Sequence, residues 1–463
     1  MTRALVYGLA VAGAATVRAM SRRGIDVIAV DDTDTPVRRE LAADLGLDLH
    51  IAPDDAELAS LVAASDVVVP APGVPEDHRV MGAARSRGVH LASEIELAYE
   101  WEQDRPGGPR PMLTVTGTDG KTTTTLWAVE MLAAAGVRSV AAGNTEVPLV
   151  TAIDMDLDAI VVECTSFRLA LTEQFRGEAA AWLNLAPDHL NWHRTMETYG
   201  DAKNKLFANQ RPDDVAIGFA RDAEVMRRLA VAPARHVTFG ADDADYRVAG
   251  GALVGPAGEL APVASLRRRL PHDLTNGLAA AALVLETGLA DQAAVAAGLA
   301  GFRGPAHRIE LVGEADGVAW YNDSKATTPH AASVAIAGFV SAGRGVVLIA
   351  GGRNKGLDLS PMADASSPGG ADGVRAVVAI GEAAHIVADA FGGRDIPILR
   401  ASSMPDAVDV AGAAARPGDV VLLSPGCASF DWYPDGGYEA RGDHFRELVR
   451  SRVQPHEQQG AVT

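Results

Sequence analysis

Met112-Leu113-Thr114-Val115-Thr116-Gly117-Thr118-Asp119-Gly120-Lys121-Thr122-Thr123 is the stretch on which the reading of this chain turns. A short apolar run stops at a glycine-bearing turn, and an amphipathic segment begins at Thr124, so the pattern is strand, turn, helix. Glycines let backbone N–H groups face phosphate oxygens, and the helix N-terminus adds its positive end. Lys121 then falls on the outer phosphates, and the Thr122 hydroxyl is a ligand type suited to Mg²⁺. The first glycine of the full G-x-x-x-x-G-K-[ST] spacing is missing, because Val115 stands there. A tight turn carrying a surface lysine is the plainer alternative. The strand before and the helix after favour phosphate.

The same rhythm runs through the chain. Apolar runs at 4–7, 26–30, 66–69, 112–115, 159–162, 180–185, 318–321, 346–350 and 420–423 each stop at Gly, Asn, Asp or Ser, and Ala-rich helical stretches follow. Continuous rather than alternating apolar runs are the mark of parallel strands buried on both faces. The fold class is therefore α/β. At about 150 residues per domain, 463 residues suggest roughly three domains. The Pro- and Gly-rich segment 104–111 and the G-F-R-G-P segment 301–305 are breakers, the latter after Ala-rich helices over 274–299. The expected partition is a Rossmann-like domain over 1–94, a central P-loop-type parallel sheet over 95–304 and a Rossmann-like domain over 305–463. The tail after Val453 shows no periodicity and is expected to lack regular structure.

Lys plus Arg number 41 against 60 Asp plus Glu, a net charge of −19. Duplex binding needs clustered cations to displace counterions, so nucleic acid is not an expected partner. An anionic ligand must be held by a local positive site against the field of the whole protein. Two cysteines cannot form a disulfide framework and point to a reducing compartment, here taken as the cytoplasm. No apolar run reaches the roughly 18–20 residues that span a bilayer, so no membrane role is expected. The apolar start reads as strand, glycine turn and helix rather than as a signal peptide, since Gly8 and Gly13 interrupt it.

Ligands of parallel sheets bind beyond the carboxyl ends of the strands. Glu163 ends one apolar run, where a carboxylate can hold a Mg²⁺ that bridges phosphates; the alternative is a helix-start charge. Asp188-His189 follow another, with a metal or phosphate role weighed against a structural histidine. Gly8-Leu9-Ala10-Val11-Ala12-Gly13 with Asp31 and Asp32 is a dinucleotide-like pattern, but the Ala10 Cβ hinders approach to a pyrophosphate. In the last third, three strand-end clusters stand out: Asn322-Asp323-Ser324-Lys325-Ala326-Thr327, Gly351-Gly352-Arg353-Asn354-Lys355-Gly356 and Ser424-Pro425-Gly426-Cys427-Ala428-Ser429. Singly each is a capped loop. Together, with Arg308 nearby, they suit a carboxylate-bearing substrate or the edge of a nucleotide.

These residues resemble the ATP-dependent Mur ligases of peptidoglycan assembly, over about residues 5–448. The resemblance rests on G-T-D-G-K-T-T, G-N at Gly143-Asn144, E-C-T-S-F from Glu163, D-H at Asp188-His189, A-K at Ala202-Lys203, H-R at His307-Arg308, N-D-S-K-A-T and S-P-G-C-A-S-F-D. The first of these motifs are shared with folylpolyglutamate synthetases. The last two together resemble the members that add D-glutamate to UDP-N-acetylmuramoyl-L-alanine. The resemblance implies an ATP-dependent ligase in the cytoplasmic stage of peptidoglycan synthesis, working as a monomer. In that chemistry ATP phosphorylates the acceptor carboxylate, the amine of D-glutamate attacks the acyl phosphate, and phosphate leaves.

By the same resemblance, Gly117 to Thr123 hold the ATP phosphates, with Asn276 on the adenine side and Arg308 and Asp323 as further ATP contacts. Two Mg²⁺ ions are implied, one on Thr122 and Glu163, the other on His189 and a carbamylated Lys203. Asn144, Thr165 and His189 touch the muramoyl-alanine nucleotide, whose uracil end rests near Gly8 to Gly13 and Asp32. Thr327, Lys355, Ser429 and Tyr438 hold D-glutamate, and Lys325 lies near the reacting centre. Lys121, His189, Lys203 and Lys325 are the implied catalytic set. The alternative for Lys203 is a solvated helix lysine, Lys205 then being the neighbour to test. Closure of the third domain on ATP is a further expectation.

The chain departs from the family pattern at Ala10, at Glu146 where G-N-x-G is usual, at Asp273 where asparagine is frequent, and in a longer loop before Tyr438. Two other readings stand beside the D-glutamate one. The first is another Mur or folylpolyglutamate-type amide ligase, although the D-N-P-R signature of the diaminopimelate- or lysine-adding members is absent. The second is a nucleotide-binding regulatory protein without turnover, against which Glu163, His189 and Lys203 together weigh.

Overall fold

In the computed structural model, which describes residues 2–366 and 373–457, the chain forms three open sheets flanked by helices and one small antiparallel ribbon. It divides into two compact units, one of residues up to 267 with 274–302, the other of 268–273 with the chain from 303 onward. The fold class is α/β, as the apolar runs imply.

The first unit carries two parallel sheets. The five-stranded one runs Asp48–Ile51, Asp26–Asp31, Arg3–Tyr7, Val67–Pro70, His90–Leu91. The six-stranded one runs Arg235–Phe239, Val215–Phe219, Ala179–Trp182, Met112–Thr116, Ala159–Glu163, Ser139–Gly143. Both faces of the latter are dry. Leu113, Val115, Val161 and Ala181 pack on one side with Trp127 and Leu278, while Met112, Ile160, Val162 and Trp182 pack on the other with Leu149 and Phe207. Burial on both faces is why these strands read as unbroken apolar runs. The antiparallel ribbon Arg247–Ala249, Ala252–Gly255, Gly258–Pro262 completes the unit.

Residues 1–94 have a sheet of their own but do not separate as a compact unit. The helix Glu94–Gln103 explains this: its Leu97 packs with Val6 and Ala29, and its Ile95, Ala98 and Tyr99 pack with the central sheet. The last change of unit along the chain falls at 302/303. The run expected at 180–185 leaves the sheet at Trp182, and the chain then bends across the loop after Thr116.

The second unit holds a six-stranded sheet in the order Glu310–Ala315, Val318–Asn322, Val420–Leu423, Val346–Gly351, Val374–Ile380, Ile398–Arg400. Its first strand is antiparallel to its neighbour and the rest are parallel. The helix Gly437–Glu457 runs four residues into the tail expected to be irregular; residues 458–463 of that tail lie outside the described residues. Among the described residues no helix is long and apolar enough to cross a membrane.

Candidate active site

Sheet order brings the chemistry of the first unit to one edge. Met112–Thr116 lies between Ala159–Glu163 and Ala179–Trp182, so the loops carrying Lys121, Glu163 and His189 leave three adjacent strands at their carboxyl ends. Gly120 starts the helix Lys121–Ala134 with φ +82°, a left-handed conformation that favours glycine. A Cβ there would strike the Asn276 carboxamide, so glycine also permits the approach of that side chain.

Asn184 holds the loop from the opposite side. Its Oδ1 accepts from the backbone N–H groups of Thr118 and Asp119, each at 2.9 Å, and its Nδ2 donates to Asp119 O at 3.2 Å. The Thr118 hydroxyl lies 3.3 Å from the Tyr199 hydroxyl. Neither Asn184 nor Tyr199 is singled out by the sequence motifs; the asparagine just past an apolar strand is the only signal of the first.

Lys121 Nζ donates to Gly117 O at 3.0 Å and Thr118 O at 2.8 Å, and Lys203 Nζ donates to the same Gly117 O at 2.7 Å. Two amines thus converge on one carbonyl oxygen. Lys203 is 1% exposed and lies over the Tyr199 ring at 4.5 Å. Burial, and then the nearby Lys121 charge, push its pKa well below the ordinary lysine value, with Asp188 and Asp119 opposing. An amine that readily gives up its proton has the free lone pair that addition to CO₂ requires. Lys205 points elsewhere, donating to Ala170 O and Thr172 O at 2.8 Å each.

Glu163 is 1% exposed. Its Oε1 accepts from Asn144 Nδ2 at 2.8 Å, while Oε2 is buried and has no hydrogen-bond partner. A bare, buried carboxylate oxygen is costly unless a cation or donor arrives, so this atom fits a Mg²⁺ ligand. Among the described residues no three His, Cys, Asp or Glu side chains form a metal cage. Mg²⁺ is commonly held by one or two protein oxygens together with phosphates and water. Thr122 stands one residue into the helix, half-buried.

His189 has φ +54° and opens the short helix Leu190–His193. Its ring packs against Phe167 at 4.7 Å, with Nε2 3.3 Å from Asp188 Oδ2. Burial lowers its pKa, Asp188 opposes, and Lys121 and Lys203 add to the lowering, so the neutral, ligating form is favoured. His193, absent from the motif reading, donates to or accepts from Ser166 Oγ at 2.8 Å; burial pushes its pKa down to about 4. Thr165 caps the helix Ser166–Ala170 by accepting from Arg168 N. Arg168 is buried and donates to Asn144 Oδ1 at 2.7 Å. Glu146 is exposed, so its carboxylate faces water.

At the first sheet, Gly13 allows helix and strand to touch, because a Cβ there would collide with Gly8 O. Ala10 is exposed as the N-cap of the helix Val11–Arg22. Asp31 is committed to the turn, accepting from Leu9 N at 2.7 Å and pairing with Arg38 at 3.0 Å. Asp32 instead accepts from the Tyr7 hydroxyl at 2.6 Å, with His78 and Arg79 within 3.7 Å. Burial and Asp32 push the Tyr7 phenol up to about 12. Between this sheet and the central one lies a small cleft lined by Pro70, Ala71, Glu94, Phe167, Arg168 and Trp192.

In the second unit, Val420–Leu423 lies between Val318–Asn322 and Val346–Gly351, which brings the three expected loops to one edge. Asp323 is buried, accepting from the Ser424 hydroxyl at 2.7 Å and Ile309 N at 3.2 Å; burial pushes its carboxyl up to about 7, with Ser424 and Arg308 opposing. Ser429 Oγ is buried without a hydrogen-bond partner. Lys325 and Lys355 are exposed, Lys325 Nζ lying 5.8 Å from the Tyr438 ring centre, while Thr327, Tyr438 and Arg308 are half-buried. Arg441, unmarked in the sequence, is buried and donates to Ser324 Oγ and O at 2.9 Å and to Cys427 O at 3.2 Å, tying two of the loops together. Asp273 is buried against Arg268 at 2.8 Å, a partner that makes use of the charge an asparagine would lack.

Comparison with known proteins places the chain in a family. Residues 115–260 match the Mur ligase middle domain and residues 307–427 the Mur ligase glutamate ligase domain. The chain is 42% identical to the UDP-N-acetylmuramoylalanine–D-glutamate ligase of Frankia casuarinae, over 97% of this chain and 94% of that one. It is 37% identical to the enzyme of the same name from Myxococcus xanthus, over 97% and 98%. Among solved structures, the UDP-N-acetylmuramate–alanine ligase of Thermotoga maritima shares the fold with a TM-score of 0.57 at 18% identity, over 98% of this chain and all of that one. With family domains matched in both units and relatives aligned over nearly its whole length, this chain belongs to the Mur ligase family.

Proposed function

We propose that the chain is an ATP-dependent ligase that joins D-glutamate to UDP-N-acetylmuramoyl-L-alanine, the substrates named for its relatives. The observation that carries the reading is the meeting of Lys121, Lys203 and Glu163, with its bare buried oxygen, at one edge of the central sheet. Lys121 and the loop from Gly117 to Thr123 hold the ATP phosphates, with Asn276 on the base side. Thr122 and Glu163 hold one Mg²⁺, and His189 with carbamylated Lys203 a second. These ions supply charge neutralisation where phosphate meets an acceptor carboxylate. Asn144, Thr165 and His189 receive the acceptor, and its UDP end lies on the sheet of residues 1–94. In the 305–463 segment, Thr327, Lys355, Ser429 and Tyr438 bind D-glutamate, Lys325 serves the reacting centre, and Arg308 and Asp323 are nucleotide contacts.

The chemistry balances in two steps. An acceptor carboxylate oxygen bonds to the γ-phosphorus as the bond to ADP breaks, giving an acyl phosphate. The deprotonated amine of D-glutamate then attacks the acyl carbon; the C–O bond to phosphate breaks, and the nitrogen sheds a second proton on becoming an amide. Preorganised cations matter most here, because charge develops on transferring phosphoryl oxygens. The enzyme is assigned to the cytoplasm as a monomer, with no nucleic acid or membrane partner.

Phosphate release with a panel of amino acids and UDP-muramoyl acceptors tests this reading. Release only with D-glutamate and UDP-N-acetylmuramoyl-L-alanine is the expected result. Release with another pair identifies a different amide ligase, and none with any pair overturns the ligase reading.

A further inference from the structure

A chain of four side chains, three of them buried and Asn144 exposed, leads away from Glu163. Glu163 Oε1 is held by Asn144 Nδ2 at 2.8 Å, Asn144 Oδ1 by an Arg168 guanidinium nitrogen at 2.7 Å, and Arg168 Nε lies 3.5 Å from Glu94 Oε2. Glu94 Oε1 accepts from Val150 N at 3.0 Å. The Glu94 and Arg168 side chains are 3% and 6% exposed.

Chemistry sets the direction of every link. A carboxylate only accepts, a guanidinium only donates, and an amide does one at each end. Asn144 therefore has a single satisfactory orientation: flipped, it would set its NH₂ against Arg168 and its oxygen against Glu163. With the amide locked, Glu163 presents Oε2 and not Oε1. The loop backbone adds to this, since Asn144 N donates to Glu163 O at 3.0 Å.

We propose that Arg168 is a positioning residue for the cation site: by fixing the Asn144 amide it commits Glu163 Oε1 and leaves Oε2 as the ligand. This rests on the proposed reading of Glu163 as a Mg²⁺ ligand. Arg168 touches neither the phosphates nor the reacting atoms in this scheme. It acts through Asn144, and Glu94 balances its charge.

The probe is ADP with MgCl₂, read as the rise in unfolding temperature while Mg²⁺ is titrated. Removing Arg168 alone strands the buried Glu94 charge, which is strongly destabilising. The test variant is therefore Glu94→Gln/Arg168→Met. Partners that orient metal ligands typically change metal affinity by about 10–100-fold when lost. The expected result is a roughly tenfold higher Mg²⁺ midpoint, with the response to ADP without Mg²⁺ unchanged. Adding Asn144→Ala to that variant is expected to raise the midpoint no further than Asn144→Ala alone; additive shifts overturn the route through Asn144.

Arg168→Lys keeps the charge but displaces the donor, and serves where the double variant does not fold. Its expected shift is in the same direction, about threefold. A wild-type Mg²⁺ midpoint in every folded variant overturns the inference alone. A wild-type protein with no Mg²⁺-dependent rise overturns the reading of the nucleotide site, and this inference with it.

Discussion

The edge of the central sheet and the edge of the second unit's sheet are built alike and finished differently. Both gather loops from three adjacent parallel strands. In the central sheet Lys203 and Glu163 are buried and tied down: Lys203 shares Gly117 O with the half-buried Lys121, and Glu163 is held by Asn144, while His189 stands exposed. In the second unit the lysines, Lys325 and Lys355, stand exposed, and the buried groups include the Asp323 carboxyl, the Arg441 guanidinium and an unpartnered hydroxyl on Ser429. Phosphoryl transfer gains from fixed charges in a dry site, where no solvent must reorganise as charge moves. Binding a small, doubly charged amino acid needs donors that can reach out and close on it. In the proposed reading, the edge with the buried lysine and glutamate is the one that handles phosphate, and the edge with the exposed lysines is the one that receives D-glutamate.

Substitutions on the two edges test that division. The largest effect belongs to Lys121→Ala, which removes the main cation from the outer phosphates: phosphate release at saturating substrates falls by roughly 10³-fold or more. Turnover within a few-fold of wild type would contradict the phosphate assignment. Lys203→Ala follows, with a loss of about 10²-fold or more and partial recovery on adding formate or acetate, which occupy the vacated ligand position. Lys205→Ala serves as its control and stays within a few-fold. Reversed outcomes for the two lysines would show that the wrong one was assigned the ligand role.

On the second edge, Lys355→Ala is expected to raise the KM for D-glutamate by about tenfold with little change in kcat, the signature of lost uniform binding. A fall in kcat at unchanged KM would place Lys355 with the chemistry instead. The smallest effect is a pH slope. Burial holds the Asp323 carboxyl at about 7, against an ordinary value of 3.8. Between those values the folded protein keeps a proton that the unfolded chain has released, so this residue's contribution to stability falls as pH rises through the window. Urea midpoints measured from pH 4 to 8 without nucleotide should therefore fall less steeply for Asp323→Asn than for wild type. Identical slopes would contradict the raised value.

Much of this molecule was legible as one-dimensional pattern. Strands buried on both faces must be apolar throughout, so the runs around Met112, Ala159, Val346 and Val420 announce parallel sheets. Gly120 and Lys121 announce a phosphate turn, because few residues other than glycine tolerate φ +82° at a helix start. Edge strands such as Ser139–Gly143 and Arg235–Phe239 escaped this reading because they are short or partly exposed and carry weak patterns.

Partnership across distance was not legible. Nothing local says that Asn184 will accept from the loop 66 residues earlier, that Arg441 will tie Ser324 to Cys427, or that Glu94, beside an expected boundary, will pair with Arg168. Motif and periodicity depend on neighbours in sequence, where backbone geometry makes residue type informative. Which buried donor meets which acceptor depends on strand order and helix packing, set by the whole chain's burial of apolar surface, and so only the folded molecule could show it.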